Sequence, residues 1–202
     1  TALGDGSSYS NTTGTNNTSL GSNSLYSNTT GYSNTALGNT SLYSNTTGFL
    51  NTAIGNGSLY SNIDCDSNTA VGVYSLYSNT TGSQNTANGM QTLYSNTTGN
   101  DNTAIGAASL RYNTSGLRNI GLGYEAGSYF GVLFNALDTL TQVNNSLFFG
   151  YRSRPLANGG TNEIVIGYDA IGNGSNSATL GNDSITKTIL KGNVGIGTSN
   201  PT

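Results

Sequence analysis

The chain has 202 residues, of which 34% are hydrophobic and only 7% are charged, and its formal net charge is −3. All six basic residues lie from Arg111 onward and form no cluster of the kind that follows a phosphate backbone, which argues against nucleic acid as a partner. No apolar run approaches the roughly twenty residues that a membrane-spanning helix requires, so the sequence predicts no membrane insertion.

A seventeen-residue unit is repeated from the N-terminus to residue 118. Its clearest copy, NTALGNTSLYSNTTGFL, occupies residues 34–50, and the same frame returns at Asn51 and again at Asn68. Low hydrophobicity on its own would also fit a disordered chain. A strict period with aliphatic residues at fixed places instead favours a repeat architecture, in which units too short to fold alone stack on one another.

Each unit is predicted to form one coil of a narrow β-solenoid with two short strands and two turns. Asn-Thr-Ala-Leu is the first predicted strand, with Leu37 directed inward, and Ser-Leu-Tyr-Ser is the second, with Leu42 inward. Gly38 and Gly48 are placed at the corners because glycine allows sharp bends. Polar residues that recur in every coil would form Asn and Thr columns hydrogen-bonded along the axis. The predicted fold class is therefore an all-β, parallel β-solenoid of seventeen-residue coils.

A column of tyrosines accompanies the second predicted strand. The members assigned to packing between chains are Tyr26, Tyr43, Tyr60, Tyr77 and Tyr94. Two large aliphatic residues and one alanine per coil bury too little apolar surface to offset the ordering of seventeen residues. We therefore expect the tyrosine column to pack against identical chains, with a solvated tyrosine stripe on a monomer as the alternative.

Two coils depart from the pattern. Asn88 stands in the ladder that other coils fill with Leu, Ile or Val, and is interpreted as a tolerated polar layer rather than a ligand site. Cys65 stands where other coils have Gly, between Asp64 and Asp66. Three potential ligands this close together rarely satisfy one metal geometry, so a drifted turn is the favoured interpretation and no metal site is predicted.

After Asn119 the strict period fails but the strand-and-glycine signature continues. It recurs at the segments 119–123, 146–150, 163–167, 177–181 and 193–197, at intervals of 27, 17, 14 and 16 residues. The sequence therefore predicts three regions: a regular shaft at 1–118, irregular coils with loop insertions at 119–182, and a junction to a further segment at 183–202. The longest insertion contains GVLFNALDTLTQV, whose apolar spacing suits either a short helix or an apolar loop.

Insertions in solenoids often carry binding, and aromatic and arginine residues cluster near this one. The candidate receptor contacts are Tyr129, Phe130, Phe134, Tyr151, Arg152 and Arg154. A packed transition between a thin shaft and a wider base explains the same composition.

No catalytic or cofactor-binding residues are predicted, and the chain is not expected to be an enzyme. It has no histidine, and its single cysteine has no partner base. The acids Glu125, Asp138, Glu163, Asp169 and Asp183 show no spacing that selects a catalytic pair.

The repeated N-T-A-I-G and S-L-Y-S-N-T-T-G motifs resemble the head repeats of trimeric autotransporter adhesins. Residues 162–201, from NEIVIG to GTSNP, resemble the end of bacteriophage tail-fibre proteins and related bacterial surface proteins. The resemblance implies a left-handed β-roll and a homotrimer of identical chains. It also implies an extracellular location, on a virion tail fibre or a bacterial surface. No adhesin neck or anchor is recognisable, and the chain starts inside a repeat, so we expect a fragment of a longer fibre.

The leading functional hypothesis is a structural and adhesive fibre segment that positions receptor-binding elements against a cell-surface glycan or protein. The first alternative is an ice-binding solenoid, which requires a flat outward array of threonines. The second alternative is a polysaccharide-degrading enzyme carried on a fibre.

Overall fold

A computed structural model describes residues 1–131 and 139–189 and shows a parallel β-solenoid with one short strand per coil. Eleven strands form one sheet in sequence order, every neighbouring pair parallel. The strands are β1 (Ala2–Leu3), β2 (Thr18–Leu20), β3 (Thr35–Leu37), β4 (Thr52–Ile54), β5 (Thr69–Val71), β6 (Thr86–Asn88), β7 (Thr103–Ile105), β8 (Ile120–Leu122), β9 (Leu147–Phe149), β10 (Glu163–Ile166) and β11 (Ser177–Leu180). Ten steps of about 4.8 Å give a stack about 48 Å long.

The prediction of a parallel solenoid of seventeen-residue coils is confirmed, and the irregular region continues the same sheet. The register pairs each coil with its equivalent, for example Thr35 with Thr52 and Leu37 with Ile54. Strands β8 to β11 coincide with four of the five segments predicted after Asn119, while 193–197 lies outside the described residues. The described part of the chain contains no helix. Most of the segment considered for a helix, residues 132–138, also lies outside it.

The predicted direction of the side chains in the first strand was wrong. Ala36 and its equivalents on β2 to β10 are buried, whereas the aliphatic ladder of Leu37 points outward, with Leu20 47% and Ile54 38% exposed. Alternation along a strand fixes only that Ala and Leu lie on opposite faces. The coil is so narrow that a methyl group fills the inside of the sheet, while Leu42 fills the space opposite it. Asn88 therefore lies on the outer face and not in a core layer.

The second predicted strand is a turn. Residues 41–44 have no strand geometry, and both Thr40 (φ 52°) and Leu42 (φ 50°) adopt the left-handed conformation. A left-handed leucine costs about 1–2 kcal/mol, which the burial of its side chain offsets. The backbone still bonds between coils, since Leu42 N donates to Ser58 O at 3.0 Å. Residues in the left-handed conformation allow so short a coil to close. Hydrogen bonds to the neighbouring coils satisfy its peptide N–H and C=O groups.

Two columns of asparagine run inside the solenoid and confirm the predicted polar ladders. In one column, Asn51 donates its backbone N–H to Asn34 Oδ1 at 3.0 Å and its side-chain amide to Cys65 O at 2.8 Å. In the other, Asn62 Nδ2 donates to Asn45 Oδ1 at 2.8 Å. A threonine column adds bonds such as Thr80 Oγ1 to Thr97 O at 3.0 Å. Buried amides are satisfied only while coils stay in register, so these ladders set the stacking of the coils.

Candidate functional site

The tyrosine column forms a continuous aromatic stack on the outside of the solenoid. Neighbouring rings from Tyr9 to Tyr94 lie 5.0–5.3 Å apart between centroids and within 13° of parallel. Arg111 follows at the next coil, with its guanidinium carbon 5.9 Å from the centre of the Tyr94 ring. Each ring covers its neighbours and the inner tyrosines are half-buried. Stacking therefore accounts for much of their burial, and packing of this column against sister chains stays a prediction.

The outer face of the sheet carries the apolar side chains that the sequence pattern predicts to lie inside. Its aliphatic column begins with Leu3, which is 66% exposed, passes Ile105 at 44%, and ends with Leu180 at 59%. Beside it run six threonines in register on β2 to β7, followed by Ile120, Leu147 and Ile164 on β8 to β10. The recurrence of Ala, Ser or Gly at the middle of β2 to β8 is the sequence signal that could have revealed this orientation, because a tight interior admits only small side chains.

The candidate receptor contacts divide into buried and exposed groups. Arg154 is buried and ion-paired with Asp169, and its Nε donates to Gly131 O at 2.7 Å, so this side chain holds the coil together. Tyr129 is half-buried and packs edge-on against Tyr112, and burial and the hydrogen bond with Tyr112 raise the pKa of Tyr129 to about 12. Phe130 packs on the core, and Phe134 lies outside the described residues.

Tyr151 and Arg152 are the candidates that reach the surface. Tyr151 is the middle ring of a second stack, 5.4 Å from Tyr124 and 5.0 Å from Tyr168 between centroids. Arg152 lies over the Tyr151 ring, and its Nε donates to Glu125 Oε2 at 2.7 Å. Tyr168 is 68% exposed and was not among the predicted contacts, because its column contains no shaft tyrosine. This second stack is the strongest described candidate for an aromatic contact surface.

Cys65 lies in a drifted turn and shows no sign of reactivity. Its buried Sγ donates to Asn62 Oδ1 at 2.8 Å and contacts Thr80 O at 3.1 Å. Burial raises the pKa of the Cys65 thiol to about 11, which keeps it protonated at neutral pH. Within residues 1–131 and 139–189, no group of three or more acids or cysteines is arranged to hold a metal ion.

Acidic residues meet in one cavity of about 300 Å³ near the C-terminal end of the described stack. Asp169 and Asp183 both line it, together with Thr179, Asn182 and Ser184. The Asp169 carboxylate is bound to Arg154. Glu125 is bound to Arg152, and Glu163 is buried in the core, so neither belongs to this cavity. A carboxylate held by an arginine is poorly placed to exchange protons with a substrate, so this pair does not resemble a hydrolytic site.

Glu163 is a buried acid in a ladder position that the shaft gives to asparagine. Glu163 occupies the same position in its coil as Asn119 and Ser146 do in the two preceding coils. Its backbone N–H donates to Ser146 Oγ at 3.0 Å. Among the described residues, no well-aligned hydrogen bond reaches either carboxylate oxygen, and the backbone at Leu156 and Gly174 interacts with the carboxylate only weakly. Burial raises the pKa of Glu163 above its usual 4.5, and the backbone at Leu156 and Gly174 opposes that rise only in part.

We expect Glu163→Gln to stabilise the fold at neutral pH by about 1–3 kcal/mol, because it removes a buried charge that the surrounding backbone stabilises only in part. The folded state binds the Glu163 proton more tightly than the unfolded state. The wild type therefore loses stability as the pH rises from about 4.5 through the raised pKa of Glu163, and the variant does not. Urea denaturation between pH 4 and 8 measures the difference. The exposed Asp5→Asn is the control, and a constant gap between Glu163→Gln and wild type across this range would contradict the explanation.

Comparison with models of protein families, with curated proteins and with solved structures finds no match to this chain. Within the described residues, no helix has the length and apolar character needed to cross a membrane.

Proposed function

We propose that this chain is a shaft segment of an extracellular adhesive fibre, in which three copies wind as left-handed solenoids and hold receptor-binding elements away from a virion or cell. The observation that supports it is the unbroken register of eleven layers, in which two asparagine ladders and an aromatic stack reinforce the same axis. Hydrogen bonds between neighbouring coils make such a stack resist bending and shear. A stiff stack is suited to act as a spacer. Three copies in one fibre raise the avidity of weak contacts.

Solution mass and shape test the fibre. We expect light scattering to give three times the chain mass of 20.7 kDa, and electron microscopy to show rods with an axial length near 50 Å. A folded monomer at micromolar concentration would contradict the trimer.

Contact with a cell surface is assigned to the second tyrosine stack. Fluorescently labelled protein is expected to bind susceptible bacterial cells, and Tyr151→Ala is expected to weaken that binding several-fold without changing the mass of the particle. Tyr9→Ala is the matched control, because Tyr9 is also exposed, at 73%, but ends the shaft stack. Equal losses of cell binding in both variants would show that Tyr151 is not part of the contact surface.

One observation favours ice binding as a second candidate. The six threonines from Thr18 to Thr103 lie in register on the outer face of one sheet, which supplies the regular outward column of threonines on which this hypothesis depends. An ice-binding protein needs this face free, whereas a fibre of associated copies can cover it. Thermal hysteresis from a monomeric protein would therefore support ice binding against the fibre.

A further inference from the structure

We propose that the outer face of the sheet is the surface through which identical copies of this chain associate, side by side, parallel and in register. This inference rests on the proposed fibre, since it specifies how the copies meet. It replaces the tyrosine column as the expected contact between chains.

The first reason is that the sheet is parallel and covered on one face only. All-parallel sheets occur almost only with both faces covered, whereas antiparallel sheets tolerate water on one side. Here the inner face packs on the leucine and asparagine columns, and the outer face leaves Leu20, Ile54 and Phe149 exposed by 38–52%. A continuous apolar surface of this length is typical of an interaction site.

The second reason is the match of period and charge. The outer columns repeat once per coil through the whole sheet, so a partner that fills them at every layer must have the same axial repeat, as a second copy has. No charged side chain lies on the outer face of β1 to β11, because the one acid in these strands, Glu163, is buried. Copies can therefore approach without repulsion, and depletion of charge is typical of the centre of protein interfaces.

The third reason concerns direction. The column beside the aliphatic ladder is threonine on β2 to β7 and isoleucine or leucine on β8 to β10. A parallel arrangement places threonine beside threonine and isoleucine beside isoleucine. An antiparallel arrangement would bury threonine hydroxyl groups against Ile120, Leu147 and Ile164, which lack any hydrogen-bonding group.

Asn88 is assigned the role of fixing the axial register. The ladder from Leu3 to Leu180 is apolar at ten of its eleven layers, and Asn88 on β6 is the exception, between Val71 and Ile105. In register, Asn88 amides of neighbouring copies meet, and each can both donate and accept. A shift by one layer leaves each amide against an aliphatic side chain. A single asparagine in an apolar seam fixes register in coiled coils for the same reason.

Cross-linking of variants with one added cysteine, using a short bismaleimide, tests the surface and its direction. Val71→Cys and Ile105→Cys lie one layer on either side of Asn88. In a parallel, in-register assembly each variant cross-links to itself at least tenfold more than Ser61→Cys, which lies beside the tyrosine column. Unmodified protein, with its buried Cys65, gives the background.

Four results would overturn the proposal in distinguishable ways. Stronger cross-linking at Ser61→Cys would make the tyrosine side the interface. Cross-links formed only when Val71→Cys and Ile105→Cys are mixed would make the assembly antiparallel. An oligomer that cross-links at none of these positions would be consistent with the proposed fibre but would contradict the outer face as its interface. A monomer would contradict both the fibre and the interface.

The role of Asn88 has its own measurement. With Asn88→Ile added to both cysteine variants, the assembly is expected to persist while the mixed 71–105 product rises several-fold, since registers shifted by two layers are no longer opposed. An unchanged product ratio would show that Asn88 does not set the register.

Discussion

Leu42→Ala is expected to destabilise the fold by about 2–5 kcal/mol, because it opens a cavity in a core that offers one leucine per coil. Leu42 is fully buried and belongs to a ladder that runs from Leu25 to Leu110. Backbone hydrogen bonds hold the neighbouring coils at a fixed spacing, so Leu25 and Leu59 cannot readily move into the gap. The midpoint of urea denaturation, followed by circular dichroism, measures the effect.

Leu50→Ala is the matched control for this substitution. Leu50 belongs to the same coil and is also left-handed, with φ 56° against 50° for Leu42, but it is 54% exposed. The cost of a left-handed residue is therefore similar at both sites, and the variants differ in burial. We expect the control to change stability by about 0.5 kcal/mol or less. Equal effects at the two positions would show that Leu42 does not carry the core.

Gly72→Ala is expected to cost about 3–5 kcal/mol, since it combines backbone strain with a collision against the next coil. Gly72 has φ 129°, a conformation that side chains rarely adopt, and it ends strand β5. An added Cβ would lie 2.5 Å from Gly89 O, and that atom belongs to backbone that cannot move without breaking the stack. Thermal unfolding and hydrogen exchange of the neighbouring coils measure the loss.

Gly159→Ala measures the cost of a positive φ where no collision occurs. Gly159 also has a positive φ, of 82°, but a Cβ there would meet no atom within 4 Å. We expect this control to cost about 1–2 kcal/mol from the backbone alone. If Gly72→Ala were no worse than Gly159→Ala, close approach between coils would not explain why glycine recurs at the end of each strand from β1 to β10.

The path of the chain within one coil could be predicted only in part. Periodicity located the strand and the glycine that ends it, because both recur at a fixed place in every unit. It did not reveal that Ser41 to Ser44 form a turn, since leucine is a poor candidate for a left-handed conformation. That conformation is tolerated because the interior between coils stabilises the Leu42 side chain, and a local pattern does not contain this contribution.

The candidate site shows the same division. The aromatic and arginine cluster after Asn119 was visible as composition, yet only the fold separates buried Arg154 from exposed Tyr151. Tyr168 joins the surface stack through an interval of seventeen residues from Tyr151, and no shaft tyrosine occupies that column. The sequence likewise does not distinguish Glu163 from a surface acid, and only the strand register places it in the asparagine ladder.

The sequence alone determined the architecture: a seventeen-residue period with fixed aliphatic, asparagine and glycine places permits little but stacked coils, because each unit must satisfy its peptide groups on its neighbours. The tertiary structure alone decided which face of the strand is inside. Alternation says that Ala36 and Leu37 point in opposite directions, and only the width of the closed coil, which admits a methyl group and excludes a second leucine, turns Leu37 outward. That orientation creates the apolar face on which the proposed assembly rests.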